Sequence, residues 1–449
     1  MTTITRFAPS PTGRLHVGNI RTALHNLLLA RRSGGTFLLR VDDTDGERSE
    51  ERFVDAIRTD LAWLGLQPDG EVRQSLRLDL YDAAFQRLVE AGRVYRAYET
   101  AQELELKRKV LLGRGLPPTY DRSALALTQR DHAAFAEQGV APHWRFHLDH
   151  AEAITWDDGI RGPQAFDADS LSDPVIRRAD GSWLYMLPSV VDDIELAVTD
   201  VLRGEDHVTN TAVQVQMFTA LGAAPPRFAH EALLTGSEGK LSKRLGSLGV
   251  DALREQGLEP AAVLSVLARI GTSQPVVAQT DIGAMAASFD LASFGRAPAR
   301  FDETELLRMN AQLVHAMPFG EVQERLPAEL DEEAWLAIRP NLRTVAEAAD
   351  WSLVITGPVT VTAFADELSE QDRAYLDKAA ETLAGLVWSK DVWTRLTDEM
   401  KAQTDRKGKG LFLPLRLALT GMTHGPDMGA LLPLIGQSQA VERLRAASR

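Results

Sequence analysis

Two stretches far apart in the chain carry residue types that could handle a phosphate: HVGN at 16–19 and KLSKR at 240–244. The first lies in FAPSPTGRLHVGNIRTAL, residues 7–24, where a turn rich in proline and glycine separates a strand-like start from an evident helix. A strand ending in such a turn places the helix N-terminus at the carboxyl edge of a sheet, where nucleotide phosphates are commonly held. There the His16 imidazole can donate to phosphate oxygens while the helix dipole favours their charge, and Gly18 lets a ligand approach the backbone. The glycine fingerprint of dinucleotide-binding folds is absent. In the second stretch Lys240, Ser242, Lys243 and Arg244 stand between glycines in TGSEGKLSKRLGS. Cations on a glycine-rich loop suit phosphoryl or adenylyl transfer, because charge builds on the phosphate oxygens as the bond to pyrophosphate breaks. Each stretch alone has a plainer reading, His16 as a satisfied turn residue and the basic run as a solvated face. Together they point to ATP.

The elements that must position these residues follow from periodicity. Ile20, Ala23, Leu24, Leu27 and Leu28 recur at helical spacing, and Arg31-Arg32 followed by Gly34-Gly35 stop that helix. TFLLRVDD then predicts a buried strand. SEERFVDAIRTDLAWLGL predicts a second amphipathic helix with Phe53, Ile57, Leu61 and Leu64 as its apolar positions, Glu50 and Glu51 at its positive end, and Gly65 closing it. This alternation begins a parallel α/β sheet. Between about residues 75 and 185 it loosens into helical pieces, YDAAFQRLVEAG and the charged AQELELKRKVLLGRG, and short strand candidates, HWRFHLDH and ITWDDGIRG, which reads as an inserted α+β module. Alternation resumes over residues 185–245. EPAAVLSVLARIG, ETELLRMNAQLVHAM, AEAADWSLVI and EQDRAYLDKAAETLAGLV then carry helical periodicity towards Arg449.

The chain has 449 residues, enough for several domains, with the globular balance of 44% hydrophobic and 25% charged residues. It shows no apolar run of membrane-spanning length, and MTTITRFAPS lacks the basic-then-apolar pattern of a secretory signal, so a cytoplasmic protein without membrane contact is expected. Without cysteine, disulfides, thiolate zinc sites, iron–sulfur clusters and cysteine nucleophiles are excluded. A net charge of −14 argues against binding polyanions over the whole surface, so any nucleic-acid contact must be local.

PSPTGRLHVGN together with KLSKR resembles the two signature sequences of class I aminoacyl-tRNA synthetases, and RFAPSPTG, VDDTD, VVDDIELAVTDVLRGEDH and HEALLTGSEGKLSKR look like the glutamyl-tRNA synthetases among them. The likeness is dense over residues 5–65 and 173–310 and weaker elsewhere, with LFLPLRLALTG and THGP as late echoes. It implies an α/β, Rossmann-like catalytic domain over 1–75 and 185–245, split by an acceptor-stem-binding insertion over 76–184. A stem-contact region over 246–310 and an all-helical anticodon-binding domain over 311–449 would follow. It also implies the reaction: L-glutamate and ATP, accompanied by magnesium, give glutamyl-adenylate and pyrophosphate, and the glutamyl group passes to the terminal adenosine of tRNA(Glu). The family characteristically needs tRNA for the first step and is expected to be monomeric.

By position in the family motifs, His16, Lys240 and Lys243 are the catalytic candidates, and Pro11, Gly18, Asn19, Asp206, Leu233, Leu234, Ser242 and Arg244 those for ATP. Arg6, Ser10, Asp42, Tyr185 and Arg203 match the glutamate pocket, with Arg6 and Arg203 expected on the side-chain carboxylate and Asp42 on the ammonium. The plainer role for either arginine is an ordinary salt bridge to a nearby acid such as Asp42 or Asp206. Family members usually carry glutamate at the position of Asp42, and often asparagine or a larger residue at that of Ser189.

DDTDGERSEE does not fit a calcium loop, since Val41 and Arg52 would take its first and last ligand positions, so a capped loop is expected. Some relatives hold zinc through cysteines near the stretch written here RVYRAYETAQEL; with none available, no structural zinc and no metal-ligating residue is expected. Candidate tRNA patches are Lys107, Arg108, Lys109 and Arg114, and Arg406, Lys407, Lys409 and Arg416. The rival readings are an enzyme that also charges tRNA(Gln) with glutamate, a relative that glutamylates a modified tRNA base but lacks the helical part, a small-molecule adenylyltransferase, and an inert tRNA-binding paralogue.

Overall fold

The first strand, β1 (Ile4–Phe7), runs into the proline–glycine turn, and α1 (Val17–Arg32) starts directly after His16. In this computed structural model the described residues are 2–236, 239–240, 249–358 and 368–449. Ser242, Lys243 and Arg244 lie outside them, and Lys240 is described by its backbone alone. All the positions predicted for the inner face of α1, Ile20, Ala23, Leu24, Leu27 and Leu28, are buried. Reciprocal capping fixes its start: His16 Nδ1 accepts the Gly18 N–H at 3.1 Å, and Asn19 Oδ1 accepts the His16 N–H at 3.1 Å. Gly34, at φ +63°, lets the chain leave the helix in a conformation other residues adopt only under strain.

β2 (Thr36–Val41) pairs parallel to β1, α2 (Glu51–Trp63) returns, and β3 (Gly70–Arg73) pairs parallel to β2. The inner face of α2 is rotated from its expected one. Val54, Ile57, Leu61 and Leu64 are buried, whereas Phe53 is partly exposed with the Arg52 guanidinium 4.7 Å from its ring centroid. A cation over the ring makes an aromatic side chain tolerable at the rim.

The next elements are α3 (Leu78–Glu90), β4 (Val94–Ala97), α4 (Ala101–Gly113), α5 (Gln129–Glu137), β5 (His143–Phe146), β6 (Ile154–Asp158), β7 (Gly162–Phe166) and β8 (Val175–Arg177). β4, β5 and β8 form an antiparallel sheet of their own. Then come α6 (Met186–Glu195), β9 (Asp200–Gly204), α7 (Val208–Ala220) and β10 (Arg227–Glu231), with β10 parallel to β9. The β6–β7 hairpin lies within the stretch read as inserted, yet it extends this second sheet, in the order β7-β6-β10-β9, through the parallel partners Asp158 and Phe228. Alternation in ITWDD identifies a strand but carries no information about its partner. The two half-sheets meet where Thr199 donates its N–H to Ile4 O at 3.0 Å and its Oγ1 accepts the Ile4 N–H at 2.8 Å. β11 (Leu234–Gly236), β12 (Gly239–Lys240) and β13 (Ala299–Arg300) make a small third layer, and α8 is Val250–Glu255.

The chain divides into two units, Met1–Glu255 with Val263–Glu303, and Gln256–Ala262 with Thr304–Arg449. Among the described residues the second is helical throughout, with Glu332–Ile338, Glu370–Gly385, Val392–Gln403, Lys409–Thr420 and Met428–Ile435 packed around Trp335, Leu376, Leu396, Leu415 and Leu431. Trp335 is fully buried and its indole Nε1–H is satisfied by Met317 O at 2.9 Å, so the largest core side chain carries no unpaired donor. No helix among the described residues is long and apolar enough to cross a membrane.

Candidate active site

The cap on α1 decides the chemistry of His16. Because Nδ1 accepts the Gly18 N–H, the proton of the neutral ring resides on Nε2, which is left as a donor at the helix start. Burial lowers the His16 pKa and keeps the ring neutral. The same contact requires glycine at 18, where a Cβ would stand 2.9 Å from His16 Cε1 and 3.0 Å from Nδ1. The chain beyond residues 241–248 rejoins at this turn: Gly249 bridges to His16, Val250 donates to Leu15 O at 3.2 Å, and Asp251 pairs with Arg14 at 2.7 Å. Pro11 is buried and its carbonyl accepts the Glu50 N–H at 3.1 Å, while Ser10 is exposed.

Asp206 and Leu233 are exposed just beyond the ends of β9 and β10, and Leu234 opens β11. Both backbone groups of Leu233 are occupied, the N–H by Glu205 Oε1 at 3.2 Å and the carbonyl by the Ala299 N–H at 3.1 Å. Of the ATP candidates, then, Gly18 and Asn19 gather with His16 at one helix start, and Asp206, Leu233 and Leu234 lie together along the edge where two parallel strands end.

Behind this edge lies a buried layer of charge. Arg40 donates to Asp42 from Nε at 2.7 Å and Nη2 at 3.0 Å, to Asp193 from Nη1 at 2.8 Å, and to Ser189 Oγ at 3.1 Å. Arg6 grips the same Asp193 at 3.0 and 3.3 Å. Asp192 accepts from Gln74 at 2.9 Å, Arg77 at 2.7 Å and Tyr81 at 2.9 Å. Burial raises the Asp42 pKa against the pull of Arg40; burial acts the same way on Asp193, but there Arg6 and Arg40 prevail and the pKa falls. The plainer role, a salt bridge to a nearby acid, is therefore seen for Arg6, with Asp193 rather than Asp42 or Asp206, and not for Arg203 among the described residues. Asp193 takes Arg6, Arg40 takes Asp42, and Asp206 stands 3.8 Å from His207.

Arg203 differs from its neighbours. It is buried, and among the described residues it makes no ion pair; its partners are neutral, Tyr185 Oη at 2.8 Å from Nη1, Thr211 Oγ1 at 2.6 Å and Gln214 Oε1 at 2.7 Å from Nη2, and His230 Nε2 at 3.4 Å from Nε. Of the five N–H groups of a guanidinium, these leave one on Nη1 uncommitted. Tyr185, accepting from Nη1, keeps its own hydroxyl proton for a further partner. His207, whose pKa is pushed down to about 4 by burial and by Arg203, is neutral, with its ring centroid 5.8 Å from that of Tyr185.

Sequence reasoning missed Arg40, Asp192 and Asp193. The signal was present: an arginine inside TFLLRV and paired acids inside VVDDIELA, where periodicity demands burial, are charges that must find partners. Around DDTDGERSEE a capped loop forms, Asp43 accepting the Ser75 N–H at 2.8 Å and Asp45 holding Arg48 at 2.8 Å.

Residues 2–307 match the family described as tRNA synthetases class I (E and Q), catalytic domain, and residues 312–448 match the anticodon binding domain. Glutamate–tRNA ligase 1 of Novosphingobium aromaticivorans is 68% identical over 446 residues, spanning 99% of this chain and 100% of that protein. The chain belongs to the class I glutamate–tRNA ligases. Glutamate–tRNA ligase 1 of Rhizorhabdus wittichii is 61% identical over 99% of both chains. A crystal structure of a glutamate tRNA ligase from Elizabethkingia meningosepticum, in complex with its amino acid, superposes with a TM-score of 0.87 at 26% identity, covering 100% of this chain and 99% of that one. As a class I glutamate–tRNA ligase the chain activates glutamate with ATP and joins it to tRNA. The adenylyltransferase and inert-paralogue readings lose their support against full-length relatives of that name.

Proposed function

We propose that Arg203 and Tyr185 receive the side-chain carboxylate of L-glutamate. The observation that carries this is the spare Nη1–H of Arg203 beside the unspent hydroxyl proton of Tyr185: two donors on a buried positive charge suit two acceptor oxygens. A glutamine carboxamide would turn an NH2 donor against one of them, which disfavours it. Arg6, whose Nε and Nη2 hold Asp193, keeps the N–H groups of Nη1 for the same carboxylate. Asp42 takes the ammonium with the lone pairs that Arg40 leaves unused, and Ser10 lines the same pocket.

His16 Nε2–H donates to the phosphates of ATP, with Gly18 and Asn19 shaping the helix start and Pro11 the turn. Lys240, Ser242, Lys243 and Arg244 bracket the phosphates from the second signature, and Asp206, Leu233 and Leu234 border the nucleoside. A glutamate α-carboxylate oxygen attacks the α-phosphorus as the bond to pyrophosphate breaks; a ribose hydroxyl of the terminal adenosine then attacks the acyl carbon and AMP departs. These groups stabilise developing charge and need no covalent enzyme intermediate. Magnesium is assigned to the incoming ATP, and, with no cysteine in the chain, no zinc is assigned. Residues 76–184 and 246–310 are assigned to the acceptor stem, 311–449 to the anticodon, and the working unit is a monomer.

The acceptor is taken to be tRNA(Glu). Transfer of labelled glutamate to purified tRNA(Glu) and, separately, tRNA(Gln) tests this. Charging of the first alone supports it, charging of both assigns the enzyme to the mischarging branch, and charging of neither overturns it.

A further inference from the structure

Arg203 is aimed by a chain of hydrogen bonds that begins on the β6–β7 hairpin. Asp158, at the end of β6, and His230, in β10, have fully buried side chains. Asp158 Oδ1 accepts three backbone N–H groups, from Ile160 at 3.1 Å, Arg161 at 2.9 Å and His230 at 3.1 Å, and Oδ2 accepts His230 Nδ1–H at 2.5 Å. A carboxylate is acceptor-only, so the imidazole proton must sit on Nδ1. Nε2 is then an acceptor, with the Thr211 hydroxyl at 2.8 Å and Arg203 Nε at 3.4 Å. Thr211 in turn accepts from Arg203 Nη2 at 2.6 Å.

We propose that Asp158 and His230 are positioning residues for glutamate: Asp158 selects the tautomer in which His230 accepts from Arg203, and so fixes the face that Arg203 and Tyr185 present to the substrate carboxylate. This rests on the reading of Arg203 as the carboxylate's partner. Burial lowers the His230 pKa, and Asp158 is held near 2 by His230 and the loop amides, so the pair keeps one protonation state around neutral pH.

Asp158→Asn tests the pairing without removing bulk. The amide oxygen still serves the three backbone N–H groups, but its NH2 replaces Oδ2 and donates to Nδ1, driving the ring proton to Nε2. Thr211 can answer by turning its hydroxyl proton to the His207 carbonyl, 3.1 Å away. Arg203 Nε, a donor only, is left facing a donor. In charging assays of the full chain with tRNA, the glutamate KM of Asp158→Asn should rise about tenfold, because Arg203 turns away from the carboxylate, while the KM for ATP stays close to that of the parent. His230→Gln, whose amide oxygen can replace Nε2 as acceptor, should bind glutamate better than His230→Ala. Arg203→Ala separates the two ways to fail. If it leaves the glutamate KM unchanged, the reading of Arg203 falls and the positioning proposal with it. If Arg203→Ala raises that KM and Asp158→Asn does not, or if Asp158→Asn raises the glutamate and ATP KM values together with a lost thermal midpoint, Asp158 and His230 are merely structural. Should Asp158→Asn fail to fold, equal glutamate KM values for His230→Gln and His230→Ala overturn the proposal.

Discussion

His16 Nδ1 and the Gly18 amide share one hydrogen bond of 3.1 Å, and that bond makes the first turn of a helix and the tautomer of a phosphate donor a single structural fact. Asparagine at 16 can still cap the helix but cannot reproduce Nε2–H. His16→Asn should therefore keep the thermal midpoint and lose about 10²- to 10³-fold in charging rate, the usual effect of removing one preorganised donor. His16→Ala should lose the same rate and, in addition, about 1 kcal/mol of stability in denaturant titration. A fully active His16→Asn would remove the imidazole from the mechanism.

Gly18→Ala sets two effects against each other. Alanine inside a helix ordinarily gains up to about 1 kcal/mol over glycine. Here the added Cβ meets the imidazole at 2.9 Å and must displace it. Reduced charging without a gain in stability is expected; a more stable variant charging at the parental rate would show that the cap does not set the position of His16.

Arg40 neutralises Asp42 and Asp193 at once, within a layer from which water is excluded. Arg40→Ala leaves two carboxylates buried beside too little positive charge, and should cost about 3–5 kcal/mol in urea unfolding. A loss below about 1 kcal/mol would mean that water or a rearranged Arg6 replaces it readily.

Stability should fall between pH 7 and pH 5. His207, lowered to about 4, and His16 and His230, also lowered by burial, take up protons in the unfolded chain before they do in the folded one. Their contribution is full above the ordinary histidine pKa of about 6.5 and is lost as pH falls through the window below it. Asp60 works in the opposite sense: burial raises it to about 6, so its contribution is present at low pH and lost as pH rises through that value. Burial raises Asp42 too, but His132, His143 and His147 are also lowered, so six imidazoles stand against two carboxyls, and a urea midpoint that is flat or higher at pH 5 would contradict this balance.

Of the proposed tRNA-facing cations, several already have protein partners. Lys107 pairs with Asp121 at 3.0 Å, Arg406 with Asp372 at 2.5 Å, and Arg416 is half-buried with a guanidinium N–H on Pro426 O at 2.8 Å. Lys407 and Lys409 are exposed and make no ion pair among the described residues. Lys407→Glu/Lys409→Glu should weaken tRNA binding and reduce the slope of log affinity against log salt by about 2, one for each phosphate that a lysine no longer neutralises. An unchanged slope would remove this patch from the interface.

The α1 face, the strand TFLLRV and the run of late helices were legible because each follows from local periodicity and stop signals. The inner face of α2 was misjudged by one residue because Phe53 is the larger side chain, yet Val54 has the inward angle. Partner choice was illegible: nothing in VDDTD says that Arg40 claims Asp42, and nothing in ITWDD says that the strand lies beside β10. Pairing across a long stretch of chain is a property of the assembled sheet, whereas His16, Gly18 and Asn19 act on one another within a single turn and were found together.

The join between Ile4 and Thr199 spans 195 residues of chain. During synthesis β1 leaves the ribosome long before its neighbour exists, and at roughly 5–20 residues per second its open edge waits on the order of ten to forty seconds for Thr199 to appear. An unpaired strand edge is an invitation to intermolecular pairing. The half of the active site that carries His16 is thus made first and completed late, and its edge stands open for most of the synthesis of the catalytic domain.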